Sequence, residues 1–178
     1  WHLASPIPFV ASIGNTLGPA RNGVPLYSFP NLDVKVHSVK GPLRVSSLRS
    51  LGAYANVFAI ESFMDELAQV AEMDPVQFRL NQLEDPRARE VIRRVATASQ
   101  WGKKKRVGLG WGLAFACYND TGAYTAMAAQ VQVEKQTGRV KVLRVIAAVD
   151  AGLVINPDGV RNQMEGGIIQ SASWTLKE

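Results

Sequence analysis

Residues 48–67 read LRSLGAYANVFAIESFMDEL, which sets Arg49 and then Gly52 just ahead of an amphipathic run. A helix beginning there turns unsatisfied N–H groups and the positive end of its dipole back towards residues 49–54. An arginine beside such a terminus suits an oxyanion, a phosphate or a metal-oxo group, because its guanidinium stays charged and donates in a fixed fork. Gly52 would let backbone approach closely. The plainer reading is a surface arginine before a turn, and the pattern alone leaves both open.

The other titratable groups point to ordinary roles. Glu61 and Asp65 stand one helical turn apart, with Glu66 beside them. No histidine or cysteine completes a metal site there, so they read as a solvated helix face, and no metal ligands are assigned. Asp150 ends a predicted strand before Ala151-Gly152 and is expected to cap a turn rather than face a site. His2 and His37 have no evident partner and read as ordinary loop and strand residues. VGLGWG (107–112) looks superficially like a phosphate loop, yet its period of two fits a strand. Neither a G-x-S-x-G elbow, nor a Walker loop, nor a dinucleotide fingerprint occurs. Cys117 is the single cysteine, which excludes an internal disulfide, a thiolate-rich zinc site and an iron–sulfur cluster held by this chain alone.

Composition sets the class. At 178 residues, 47% hydrophobic and 20% charged, the chain can bury a sizeable core. Its net charge of +5 comes partly from Lys103-Lys104-Lys105-Arg106. No stacking aromatics accompany that run, so it reads as a solvated loop and not as a nucleic-acid site. No apolar stretch is long enough to span a bilayer. The chain opens at Trp1 and closes on SWTLKE in mid-pattern, so the expectation is a piece of a longer polypeptide.

Elements must position these residues. Pro6, Pro8, Pro19, Pro25 and Pro30 crowd an irregular lead-in, and LDVKVHSV (32–39) alternates like a strand. Val57, Ile60, Met64, Leu67, Ala68 and Ala71 form one helical stripe. Asp74-Pro75 starts a second helix over 75–83, with Gln77 placed to complete a capping box. Asp85-Pro86 starts a third, which buries Val91, Ile92, Val95 and Ala96 and is expected to stop at Gly102. Strands follow at 107–117, 126–134 and 139–150, the last two joined by a turn at Lys135–Gly138. The first of them alternates bulky residues with glycine or alanine, so a close neighbour is expected on its bare face. Asn156-Pro157 opens a final helix, to about residue 174, rich in small residues. The class is α+β: a helical layer, an antiparallel β meander and a C-terminal packing helix. The expected divisions are 1–41, an irregular lead-in with one strand; 42–102, a helical segment; and 103–178, the meander with its final helix.

The stretch from LRSLGAYANVFAIESFMDELAQVAEMDPVQFRLNQLEDPRAREVI, with the tail VIAAVDAGLVINPDGVRNQMEGGIIQSASWTLKE, resembles the molybdenum-binding large subunit of the xanthine dehydrogenase/aldehyde oxidase family. The resemblance is nearest the branch typified by isoquinoline 1-oxidoreductase beta subunits. It rests on Arg-Ser-x-Gly before a helix with Glu-Ser-x-x-Asp-Glu-Leu-Ala, then Asp-x-Gly, Asn-Pro and Gln-x-Glu-Gly, in order from about Pro30 to Glu178. It implies that 42–178 is part of one larger molybdopterin-binding domain.

By that resemblance the intact protein hydroxylates an aldehyde or an N-heteroaromatic ring with oxygen drawn from water. The implied cofactor is molybdenum–molybdopterin, in its cytosine dinucleotide form, with electrons passing to iron–sulfur clusters on a partner. The implied partners are an iron–sulfur small subunit or domain and the remaining part of the same large subunit. Arg49 matches an arginine that approaches the molybdenum centre, and Ser50 and Gly52 share its cofactor-binding turn. Leu51 matches a substrate-flanking position that is phenylalanine in purine-oxidising members, which argues against purine. Leu48 stands where an aromatic is usual. Gln163, Gly166 and Gly167, with Glu165, match a tail motif expected to pack around the cofactor. No Gly-x-Gly-Glu segment, where the family carries its base, is present, so no catalytic residue is assigned and the piece is expected to be inactive alone. The family's Gly-Gly-x-Phe-Gly and Met-Gly-Gln-Gly cofactor motifs are missing as well. The alternative is a non-catalytic assembly or interaction domain. The compartment, bacterial cytoplasm or periplasm, is left open.

Overall fold

The computed structural model describes residues 18–37, 48–103 and 107–177. Lys104–Arg106 of the basic run and His2 therefore lie outside the described residues. The chain divides into two units. The first comprises Trp1–Glu84 and Cys117–Gly122; the second comprises Asp85–Ala116 and Ala123–Glu178.

Helices α1 (Ala53–Val70) and α2 (Pro75–Gln82) build the first unit. Met64 and Ala68 carry the buried stripe of α1, whereas Ala71 falls just past the helix and is exposed. Asp74 caps α2 by accepting hydrogen bonds from the Val76 and Gln77 amides, at 3.0 and 3.1 Å. The expected capping box does not close: the Gln77 amide reaches forward to Asn81 Oδ1 at 2.7 Å instead of back to its cap. A 3-10 turn at Gly18–Ala20 packs on α1, and a second at Tyr118–Asp120 belongs to the same unit. The Asn22 side chain ties that second turn down, donating to Cys117 O at 2.8 Å and accepting from Asn119 N at 2.9 Å.

The strand expected at 32–39 is not found: Leu32–His37 are irregular, and residues 38 and 39 lie outside the described residues. Alternation marks a segment able to pair, but a strand also needs a neighbour to complete its ladder. Leu32 and Lys35 stay exposed, the latter bridging to Asp33.

The second unit holds α3 (Pro86–Ser99), the three-stranded antiparallel sheet β1 (Leu109–Cys117), β2 (Tyr124–Val133), β3 (Val140–Asp150), and α4 (Pro157–Leu176). Strand order follows chain order. The β2–β3 register pairs Tyr124 with Asp150 and Val133 with Val140, with an irregularity at Gln130/Val131. The turn between them closes through Gly138, whose φ of +71° is left-handed. α3 packs across β2 and β3, burying Val91, Ile92 and Val95. Ala126 and Ala128 share one face of β2 and are fully buried, their small size suiting close packing.

Two expectations change here. α3 stops three residues before Gly102: Gln100 takes the left-handed cap (φ 56°), and the amides of Gln100 and Trp101 bond back to Thr97 and Ala96. The bare face of β1 has its expected close neighbour only in part: a Cβ on Gly110 would lie 3.5 Å from Val131 Cγ2, whereas one on Gly112 would meet nothing within 4 Å among the described residues. Small residues permit close packing without guaranteeing a partner. α4 starts as its sequence dictates, with Asn156 Oδ1 accepting from the Gly159 amide at 2.9 Å and proline at the first turn. It packs on β3, yet none of its 20 residues is buried. The α+β class stands.

Candidate functional site

Arg49 sits on a tight turn closed by the Leu51 amide on Leu48 O at 3.1 Å. Ser50 and Leu51 both have left-handed backbone, with φ of 72° and 52°. For residues that carry a Cβ this conformation costs about 1–2 kcal/mol each, so the surroundings must hold it. They do so through the Gly18–Arg21 segment. The Gly52 amide donates to Gly18 O at 2.9 Å, and the Asn56 side chain donates to Pro19 O at 3.0 Å and Arg21 O at 2.9 Å.

That packing explains the glycine. Gly52 has a right-handed φ of −68°, so its conformation does not demand glycine. A Cβ there would lie 2.1 Å from Pro19 O, and that collision makes the demand. The close approach expected at Gly52 is made by the protein's own backbone. The Gly52 amide is thereby occupied, as is the Ala53 amide, which donates to Ser50 O at 3.0 Å. No side chain caps α1. Arg49 is exposed at the positive end of an 18-residue helix, while Ser50 and Leu51 are half-buried. The turn thus offers a cation on a backbone held in one shape.

Of the α1 carboxylates, Glu61 leaves the expected solvated face and is buried. Arg79 of α2 is fully buried, with Nε bonded to Glu61 Oε2 at 2.9 Å, Nη1 to Asp65 Oδ1 at 2.6 Å and Nη2 to Glu61 O at 2.9 Å. Tyr27 donates to the other Glu61 oxygen at 2.7 Å. Burial works most strongly against the Arg79 charge, but Glu61, Tyr27 and Asp65 together outweigh it, and the guanidinium is held above its ordinary pKa. Burial, then the Glu61 charge, push the Tyr27 hydroxyl well above the usual tyrosine range. Glu61 is therefore a buried structural anion, whereas Asp65, though bonded to Arg79, and Glu66 keep the expected exposed positions. A sequence signal existed: Val76, Leu80 and Leu83 form an apolar stripe on which Arg79 also falls. An arginine in a core stripe calls for a buried carboxylate.

In the second unit Asp150 has the turn role assigned to it, its Oδ1 accepting from the Gly152 amide at 2.9 Å. It also accepts a two-bond fork from Arg87, at 2.8 and 2.7 Å. Arg87, followed by the Gly152 amide, holds the carboxyl well below the ordinary carboxylate range. Gln163 is exposed on α4, and Gly166 and Gly167 are half-buried there. The structure therefore gathers Arg49, Ser50, Leu51 and Gly52 into one turn of the first unit and carries Gln163, Gly166 and Gly167 on one helix of the second. Among the described residues no group of three or more His, Cys, Asp or Glu side chains could hold a metal ion. Nor, among them, is any helix long and apolar enough to cross a membrane.

A family model described as "Molybdopterin cofactor-binding domain" matches residues 46–178. A nicotinate dehydrogenase subunit from Pseudomonas putida is 37% identical over 188 aligned positions, covering 97% of this chain. The beta subunit of isoquinoline 1-oxidoreductase from Brevundimonas diminuta is 36% identical over 169 positions and 93% of the chain. A membrane-bound aldehyde dehydrogenase of Gluconacetobacter polyoxogenes, whose name specifies pyrroloquinoline quinone, is 33% identical over 149 positions and 74% of the chain. The chain spans only 15%, 21% and 19% of the length of these three relatives, respectively. From the matched residues and these relatives it follows that the chain belongs to the molybdopterin-binding xanthine dehydrogenase family of oxidoreductases, matching one stretch of much longer proteins.

Proposed function

We propose that this chain forms one wall of the cofactor site in a molybdenum hydroxylase large subunit of the aldehyde oxidase/xanthine dehydrogenase type. The observation that carries the reading is Arg49, exposed on a turn whose two left-handed residues are fixed by backbone packing at Gly52. The donor set fits an anionic oxo or phosphate group, since it offers a permanent cation whose mount cannot relax away.

When bound, the molybdenum–molybdopterin group, in its cytosine dinucleotide form, supplies the two-electron acceptor for hydroxylation and delivers to iron–sulfur clusters on a small subunit. Arg49 favours negative charge beside that group, and Ser50 and Gly52 keep the turn in its shape. Leu51 presents an apolar flank to the substrate. Gln163, Gly166 and Gly167 of α4 pack around the cofactor. The base comes from the remaining part of the same subunit, so this stretch alone is inactive. An N-heteroaromatic substrate is favoured over an aldehyde, because two relatives are named for nicotinate and isoquinoline while a third is named for an aldehyde. The domain reading is that residues 42–178 belong to one molybdopterin-binding domain.

The test compares the full-length protein with its Arg49→Ala variant for turnover and for molybdenum per protein. Loss of both is expected. Unchanged turnover and occupancy would overturn the proposal and favour an assembly domain without catalytic role.

A further inference from the structure

Asp150 closes β3, and the six residues after it lead to the start of α4. Nothing in that connection is buried; residues 151–156 are all exposed. Its direction is therefore set at its two ends, by the packing of α4 on β3 and by its root. There Arg87, in the first turn of α3, holds both Asp150 oxygens, and one of them also receives the Gly152 amide. The Arg87 guanidinium lies 4.5 Å from the centre of the Tyr124 ring, and the Tyr124 hydroxyl donates to Asp85 Oδ2 at 2.6 Å. Asp85 is in turn the cap of α3. Four side chains from α3, β2 and β3 thus close a chain of contacts around one turn. Gly152 itself has a φ of +69°, and a Cβ on it would lie 3.9 Å from Arg87 Nη2.

We propose that Arg87 is a positioning residue. By locking the Asp150–Gly152 turn against Tyr124, it fixes the direction in which the chain leaves the sheet, and so presents the Gln163–Gly167 stretch of α4 to the cofactor. This rests on the reading that the stretch lies beside the cofactor. A fork on a carboxylate that also caps a turn constrains orientation, which a single bond does not. Lysine would keep the charge and lose the fork.

The test uses the full-length, cofactor-loaded subunit with Arg87→Ala, Arg87→Lys and, separately, Gln163→Ala. Molybdenum per protein after prolonged dialysis measures retention, hydrogen exchange follows residues 151–162, and melting temperature monitors the fold. Arg87→Ala is expected to speed exchange there and to lower retention by roughly tenfold, the effect typical of residues that orient ligands from behind. Arg87→Lys should fall between, with only a small drop in melting temperature in either and the fold retained. Retention unchanged in Arg87→Ala overturns the proposal, even if exchange quickens. If Gln163→Ala loses retention while Arg87→Ala does not, only the positioning role fails. If neither Gln163→Ala nor Arg49→Ala alters retention, the cofactor reading itself fails.

Discussion

Two arginines organise the two units, and they do so in opposite surroundings. Arg79 is fully buried among Glu61, Asp65 and Tyr27, while the Arg87 side chain is 47% exposed over Tyr124 and Asp150. The bonds to carboxylate oxygens are alike in length and number, two from each guanidinium. What differs is the cost of losing one partner. In the first unit a removed guanidinium strands a carboxylate in the interior, whereas in the second water replaces it at once. Loss of the buried arginine should therefore be felt in the packing of α1 on α2, and loss of the exposed one in how the chain leaves the sheet towards α4.

The largest predicted effect tests that contrast directly. Arg79→Ala should lower the opening free energy of α1 and α2 amides by about 3–5 kcal/mol, because it leaves Glu61 buried and unpaired. Native-state hydrogen exchange on the full-length protein reads this, and rates indistinguishable from wild type would break the comparison. Replacing Arg79 and Glu61 together by apolar residues of similar volume should recover most of the loss.

The two clusters should also fail at opposite ends of the pH scale. Asp150 is held low by Arg87, and Asp85 is held low first by the Tyr124 hydroxyl. A lowered carboxyl pKa means that the unfolded chain binds the proton more readily. Their stabilisation is therefore present above about pH 4 and is lost as pH falls below it. Tyr27 is shifted upward, so its contribution is present below about pH 10 and is lost as pH rises beyond it. Melting curves should show Asp150→Asn blunting the acid limb alone and Tyr27→Phe blunting the alkaline limb alone. Each variant altering the other's limb would show that the clusters are not independent.

The smallest effect is expected at the exposed Arg94–Glu90 pair on α3, 2.8 Å long and one helical turn apart. Glu90→Ala should cost only about 0.3–0.5 kcal/mol, and less at high salt. A cost comparable with Arg79→Ala would remove burial as the explanation.

Local signals carried most of the fold. Asp74, Asp85 and Asn156, each followed by proline, start their helices as written, because capping and a preset φ act within a few residues. The β2–β3 hairpin was likewise readable from alternation and one glycine. Misreadings arose where a distant partner decides. Glu61 looked solvated because its arginine lies 18 residues on, in another helix. LDVKVH alternates, yet pairs in no strand among the described residues. At the candidate site, Arg49 and Gly52 were visible as a pair, but the left-handed Ser50 and Leu51 were not, since neither residue type favours that conformation. Nor could the reason for Gly52 be read, because the colliding atoms belong to Pro19.

The turn at Cys117–Gly122 has a consequence for synthesis. It completes the first unit, through Asn22, although it is translated after all of α3 and most of β1. A domain contiguous in sequence can finish folding as soon as its last residue clears the ribosome. Here the N-terminal unit must wait, its Asn22 amide without Cys117 O, until the chain has grown into the first strand of the next. The order of emergence and the order of completion are therefore different, and the two units mature as interleaved pieces of one nascent chain.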